Sequence, residues 1–208
     1  MPIDLTEMLA PPGTAVLVME VQRSTVGDLT GLPALREAAA EAGMLPRIRD
    51  LLAAAREAGV TVVHCTVGAD LVPSAPPNYP GAAAIAKRRG AAAADPGAAD
   101  PVPEIGAAPS DLVLSRHHGV SPFSGTELDA VLRRLGVRSI VACGVSLNVG
   151  ILGLTIEAVS LGYRVAVATD AVAGVPVEYG RAVIDNSLPF LATRLTVAEL
   201  VAVWRPAD

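Results

Sequence analysis

Residues 139–150 read SIVACGVSLNVG, an apolar run that ends in a glycine and then starts a helix. The run 139–143 is short and continuous, which suits a strand buried on both faces. Gly144 fits a tight turn out of that strand. Asn148 is placed to cap a helix over 148–161. That helix is apolar almost all round, with Glu157 its one charge, so it is buried in its own domain or against a partner subunit. The first free N–H groups of such a helix form a ready anion or oxyanion site. An ordinary strand–helix turn is the alternative for this segment taken alone.

The same unit recurs outward along the chain. Strands are expected over 14–19 (TAVLVM), 60–65 (VTVVHC), 111–115 and 164–169 (RVAVAT). A polar loop follows the first strand. Pro46 opens an amphipathic helix with Ile48, Leu51, Leu52 and Ala55 on one face, and Gly59 closes it. Further helices are expected over 127–135 and 178–191, and a short strand or helix over 195–203. Strands alternating with helices imply right-handed βαβ units and a parallel sheet. The ligand crevice of such a sheet lies at the carboxyl ends of its strands.

Composition bounds the answer. The chain has 208 residues with 51% hydrophobic and 18% charged, which fits one globular domain over 1–208. Only 3% of residues are aromatic, so Ala, Val and Leu must fill the core. A net charge of -5 and the lack of a basic patch exclude nucleic acid as an expected partner. The run Lys87–Arg88–Arg89 reads as a solvated turn. No apolar stretch reaches the ~18 residues of a membrane span, and the N-terminus lacks a signal-peptide pattern. Cys65 and Cys143 fall in expected strands without ligand spacing, so reduced thiols and a cytoplasmic location are the simplest expectation. Residues 67–109 are rich in Ala, Pro and Gly. They read as a long excursion from the domain, either a lid or oligomer contact or a mobile surface loop.

The strand ends carry the chemistry. Glu20 and Gln22 follow the first strand. A carboxylate there is a structural acceptor or loop residue, or a general acid or base if an apolar setting adjusts its proton affinity. The third strand ends in Arg116-His117-His118. Neighbours on an extended segment point to opposite sides, so the two histidines do not form a metal pair; one is expected to face the crevice and the other solvent. No metal or cofactor is expected.

Taken together in order, these segments resemble the isochorismatase-like cysteine hydrolases. Val18-Met19-Glu20-Val21-Gln22 is similar to their I-D-M-Q strand end, and residues 121–128 (SPFSGTEL) to their S-A-F-x-G-T-x-L segment. Gly144 to Gly150, Gly162-Tyr163-Arg164-Val165 and Asp170-Ala171 resemble G-V-x-T-x-x-C-V, G-Y-x-V and D-A. The resemblance implies a three-layer, Rossmann-like α/β fold with a six-stranded parallel sheet flanked by helices. It also implies a homo-oligomer, a dimer or tetramer, and a cis peptide at Val145–Ser146. Its catalytic Asp, Lys and Cys fall on Glu20, His117 and Gly150. Substrate contacts fall on Gln22, His118, Phe123, Val145, Ser146, Asn148 and Val149.

Gly150 carries no nucleophile, so a cysteine adduct there is chemically excluded. The branch of the family with glycine at this position cleaves vinyl ethers without covalent catalysis, its acidic residue protonating carbon. Three readings follow: a non-covalent hydrolase of a small anionic or cyclic metabolite using Glu20 and His117, an inactive ligand-binding or regulatory protein, or a structural oligomer partner.

Overall fold

The computed structural model describes residues 3–71, 81 and 95–205. Six strands form one sheet: β1 Thr14–Met19, β2 Thr61–Val67, β3 Leu112–Arg116, β4 Ser139–Val145, β5 Arg164–Ala173 and β6 Thr193–Leu195. Their order is β3-β2-β1-β4-β5-β6, and every pairing is parallel. The chain therefore builds outward from β1 in one direction, then returns to build from β1 in the other. That reversal leaves a crevice at the carboxyl ends of β1 and β4.

Every residue of β1 and of β4 is buried, as expected of central strands covered on both faces. Alternate side chains feed two cores. Val16, Val18, Val62 and Val141 join one core with helices Pro33–Glu41, Met44–Glu57 and Val197–Trp204. Leu17, Met19, Val63 and Ala142 join the other with Leu128–Arg134, Leu152–Ser160 and Val177–Asn186. Thr196 and Glu199 close the start of the last helix as a reciprocal capping box. Among the described residues no helix is long and apolar enough to cross a membrane.

Several expectations are corrected. The region after β1 is not all loop, because Pro33–Glu41 is a helix that buries Leu35, Ala38 and Ala39. Strand β5 runs on to Ala173, so Asp170 lies within it instead of beyond it. Its carboxylate accepts the Val197 N–H at 2.8 Å and faces Arg47 at 3.3 Å. The closing region holds both a strand and a helix, β6 and Val197–Trp204. Residues 72–80 and 82–94 of the excursion, with Lys87–Arg88–Arg89, lie outside the described residues. Its later part folds back on the segment after β1. Val102 N–H donates to Val21 O, Ser24 N–H to Ala98 O, and Arg23 N–H to Asp100 O.

Candidate active site

Glu20 is the first residue past β1. Its φ is 51°, the one positive value outside glycine among the described residues. A side chain held in this region costs of order 1–3 kcal/mol and persists only where surrounding contacts fix it. Here the Glu20 N–H donates to Cys65 O at 2.9 Å. The carboxylate reaches sideways across the end of β2 to the last residue of β3, where Arg116 Nη2 donates to Glu20 Oε1 at 2.5 Å. Both side chains are largely enclosed, 14% exposed for Glu20 and 6% for Arg116. Glu20 thus stands against a guanidinium, not in the apolar setting expected from sequence.

Arg116, not His117, supplies the cation. The reason is strand alternation. Arg116 is buried at the end of β3, opposite Val67. His117 points the other way, with Nδ1 2.7 Å from Ala69 O. His118 is exposed and packs beside Gly125, where an added methyl would meet its Nε2 at 2.9 Å. The two histidines thus diverge. No three His, Cys, Asp or Glu gather as a metal site among the described residues.

On the β4 side, Gly144 has φ 105° and approaches β1 so closely that a Cβ would lie 2.3 Å from Met19 O. Only glycine fits there. The Val145–Ser146 peptide is cis. The chain then makes one π-helical turn, Leu147–Ile151, before the helix Leu152–Ser160. Asn148 is therefore not the N-cap. It lies inside the turn, its Nδ2 donating to Val175 O at 3.2 Å while Oδ1 is buried without a partner. Gly150 sits at the base of the turn, where a Cβ would be 3.1 Å from Val145 O and 3.4 Å from Met19 Cε. Val145 is buried, Ser146 half-buried and Val149 half exposed.

Two other candidates have structural roles. Gln22 is fully buried. Its Oε1 accepts the Val67 N–H at 2.7 Å, and its Nε2 donates to Val67 O, Ala98 O and Ser24 Oγ. It clamps the end of β2 and the returning excursion onto the Glu20 segment. Phe123 is in the second core, stacked on Tyr163 at 6.0 Å between ring centroids.

The cysteines are buried and unpaired. Burial pushes the Cys65 thiol up to about 12, with Arg116 pulling it down and Glu20 pushing it further up. Burial likewise raises the Cys143 thiol. Neither is a ready thiolate.

The fold agrees with comparisons to known proteins. The isochorismatase domain pattern matches residues 14–199. The chain belongs to the isochorismatase family. The uncharacterized isochorismatase family protein YwoC of Bacillus subtilis (strain 168) is 34% identical over 100 residues, 48% of this chain and 52% of that protein. The match thus spans about half the length of that curated relative. A cysteine hydrolase from Pseudomonas syringae pv. phaseolicola 1448A superimposes with a TM-score of 0.78 at 22% identity, covering 100% of this chain and 97% of that one. N-carbamoylsarcosine amidase from Thermoplasma acidophilum gives a TM-score of 0.67 at 21% identity, covering 88% and 96%. At these identities the two structures establish the isochorismatase-like fold.

Proposed function

We propose that this isochorismatase-family protein hydrolyses a small molecule without a covalent enzyme adduct, with Glu20 as the proton-transferring group and water as the nucleophile. The observation that carries the reading is the Glu20–Arg116 pair, enclosed at the carboxyl ends of β1 and β3. Arg116 fixes the carboxylate in one orientation, and positioning of this kind is a large part of catalytic power. Gly150 occupies the position of the family nucleophile. The two thiols the chain does possess are buried and held protonated. A positioned carboxyl group, as a carboxylate taking a proton from the attacking water or as a carboxylic acid giving its proton to a vinyl ether carbon before water adds, is the chemistry that we propose for Glu20.

A second reading is ligand binding or regulation without turnover, and the small exposure of the pair favours it. The same proposal has the protein acting in the cytoplasm as a homo-oligomer. Val149, Ile156 and Val159 give an exposed apolar strip along the turn and the helix that follows it, consistent with a partner subunit.

The test is product formation by wild type and Glu20→Ala, side by side, read by mass spectrometry. The panel holds isochorismate, simpler vinyl ethers, cyclic imides, and simple and N-carbamoyl amides, the last suggested by the amidase likeness. Turnover by wild type that vanishes in Glu20→Ala supports the hydrolase. Undiminished turnover in the variant removes Glu20 from the chemistry. No turnover by either, with a panel compound raising the Tm, supports the binding reading.

A further inference from the structure

We propose that Arg116 is the recognition residue for a carboxylate on the small molecule that this site takes. The inference rests on reading the strand ends as a small-molecule site and is independent of whether that molecule is turned over.

A guanidinium offers five N–H donors in a rigid plane. In Arg116 the side edge is used within the chain: Nε donates to Gly119 O at 3.3 Å and Nη2 to Glu20 Oε1 at 2.5 Å. The remaining corner, Nη1, is buried and makes no hydrogen bond. Leaving a buried donor unpaired costs roughly 1–3 kcal/mol, and more when the group is charged. Among the described residues it is the one buried, unsatisfied side-chain atom that belongs to a cation. Of the other three, His64 Nδ1 lies in the middle of β2, Ser139 Oγ at the start of β4, and Asn148 Oδ1, an acceptor, in the π-helical turn.

An arginine gripped along one edge keeps its end edge, Nη1 with Nη2, in a fixed direction. That edge matches the two oxygens of a carboxylate, and charge-assisted bonds of this kind are about twice as strong as neutral ones. Glu20 is held through Nη2 and leaves Nη1 without a partner, so a second anion at Nη1 would share the guanidinium with it. The device gives a partner to a guanidinium nitrogen that is otherwise buried and unpaired. It also gives to Arg116 the cationic role for which the resemblance pointed to His117.

Isothermal titration calorimetry with sodium acetate and with acetamide, its neutral isostere, tests this at constant ionic strength held with chloride. Wild type is expected to bind acetate roughly tenfold or more tightly than acetamide. Arg116→Lys keeps a cation beside Glu20 but lacks the planar end edge, and its preference for acetate is expected to disappear. Arg116→Met is expected to behave alike if circular dichroism shows that it folds; the Lys variant carries the test if it does not. Glu20→Gln is expected to keep the preference for acetate even where it abolishes turnover, so failure of the hydrolase reading leaves this result standing. Acetate binding no tighter than acetamide in wild type overturns the proposal, as does an unchanged preference in Arg116→Lys.

Discussion

Two arginine–carboxylate pairs flank β2, and they are built to opposite ends. On one face Asp111, at the start of β3, is 1% exposed and saturated. Arg56 grips it through Nε at 3.1 Å and Nη2 at 2.6 Å, the Ala108 N–H donates at 3.0 Å, and His64 Nε2 lies at 3.0 Å. At the carboxyl end of the sheet, Glu20 is held at a strained φ and its arginine keeps a buried corner unpaired. Closed networks rigidify a fold. Strain and an unsatisfied donor persist where a ligand is expected to complete them. The difference is what the proposed function expects of a structural Asp111 and a functional Glu20, although His64 in the Asp111 network also keeps one buried nitrogen, Nδ1, unpaired.

The largest expected effect breaks the closed pair. Asp111→Ala leaves Arg56 and His64 without their acceptor. Removing one partner of a buried pair costs about 3–5 kcal/mol, and the partial exposure of Arg56 places this one at the lower end of about 3 kcal/mol. Urea denaturation measures it, and the surviving folded protein is expected to bind its ligand normally. A small loss would make the two pairs alike. The conservative change at the open pair, Glu20→Gln, is expected to lower turnover about a hundredfold, the low end for a positioned acid or base. Stability is expected to fall too, but by less than in Asp111→Ala, because buried Arg116 keeps an amide acceptor while it loses its counter-charge. Steady-state kinetics on the active panel member, together with a melting curve, separate the two effects.

Acid sharpens the comparison further. Burial holds the His64 imidazole below its ordinary 6.5, partly offset by Asp111. The unfolded chain therefore takes up that proton first as pH falls through 6.5, and stability declines from there down to the lower folded value. Burial pulls the Asp111 carboxyl upward, but Arg56, the Ala108 N–H and His64 outweigh it and hold it below 3.8. Its contribution is complete above 3.8 and is lost as pH falls further. Tm measured against pH is expected to fall in these two steps, and His64→Gln to remove the first. The smallest expected effect is none at all: iodoacetamide leaves wild-type activity unchanged, because both thiols are buried and raised. Inactivation that tracks alkylation of Cys65 would bring a thiol back into the mechanism.

Much of this was legible in the residues. The run TAVLVM is β1 to the residue, because a strand buried on both faces must be apolar throughout. The strand ends also named Glu20, which the structure places against Arg116 at the end of β3. The helix Pro33–Glu41 was missed although Leu35, Ala38 and Ala39 stand at helical spacing, because alanine is a weak hydrophobic marker beside the charged Arg36, Glu37 and Glu41. Asn148 was misread because a capping residue and a residue inside a π-helical turn look alike in one dimension. Arg116 was passed over for His117 by a shift of one residue. At a strand end such a shift exchanges the two faces of the sheet; the signal was the alternation rule itself, applied to the wrong neighbour.

The sequence by itself determined the alternation of strands with helices from β1 to β5, the parallel sheet, and that position 150 is a glycine without a nucleophile. These follow from local patterns and residue chemistry, which need no knowledge of partners. The tertiary structure decided which side chains meet. It brought Glu20 and Arg116, 96 residues apart, into contact across β2, and turned Gln22 into a clamp instead of a ligand contact. Pairing of distant strands fixes register and face, and those set whether a charge is paired, buried or left with a donor to spare.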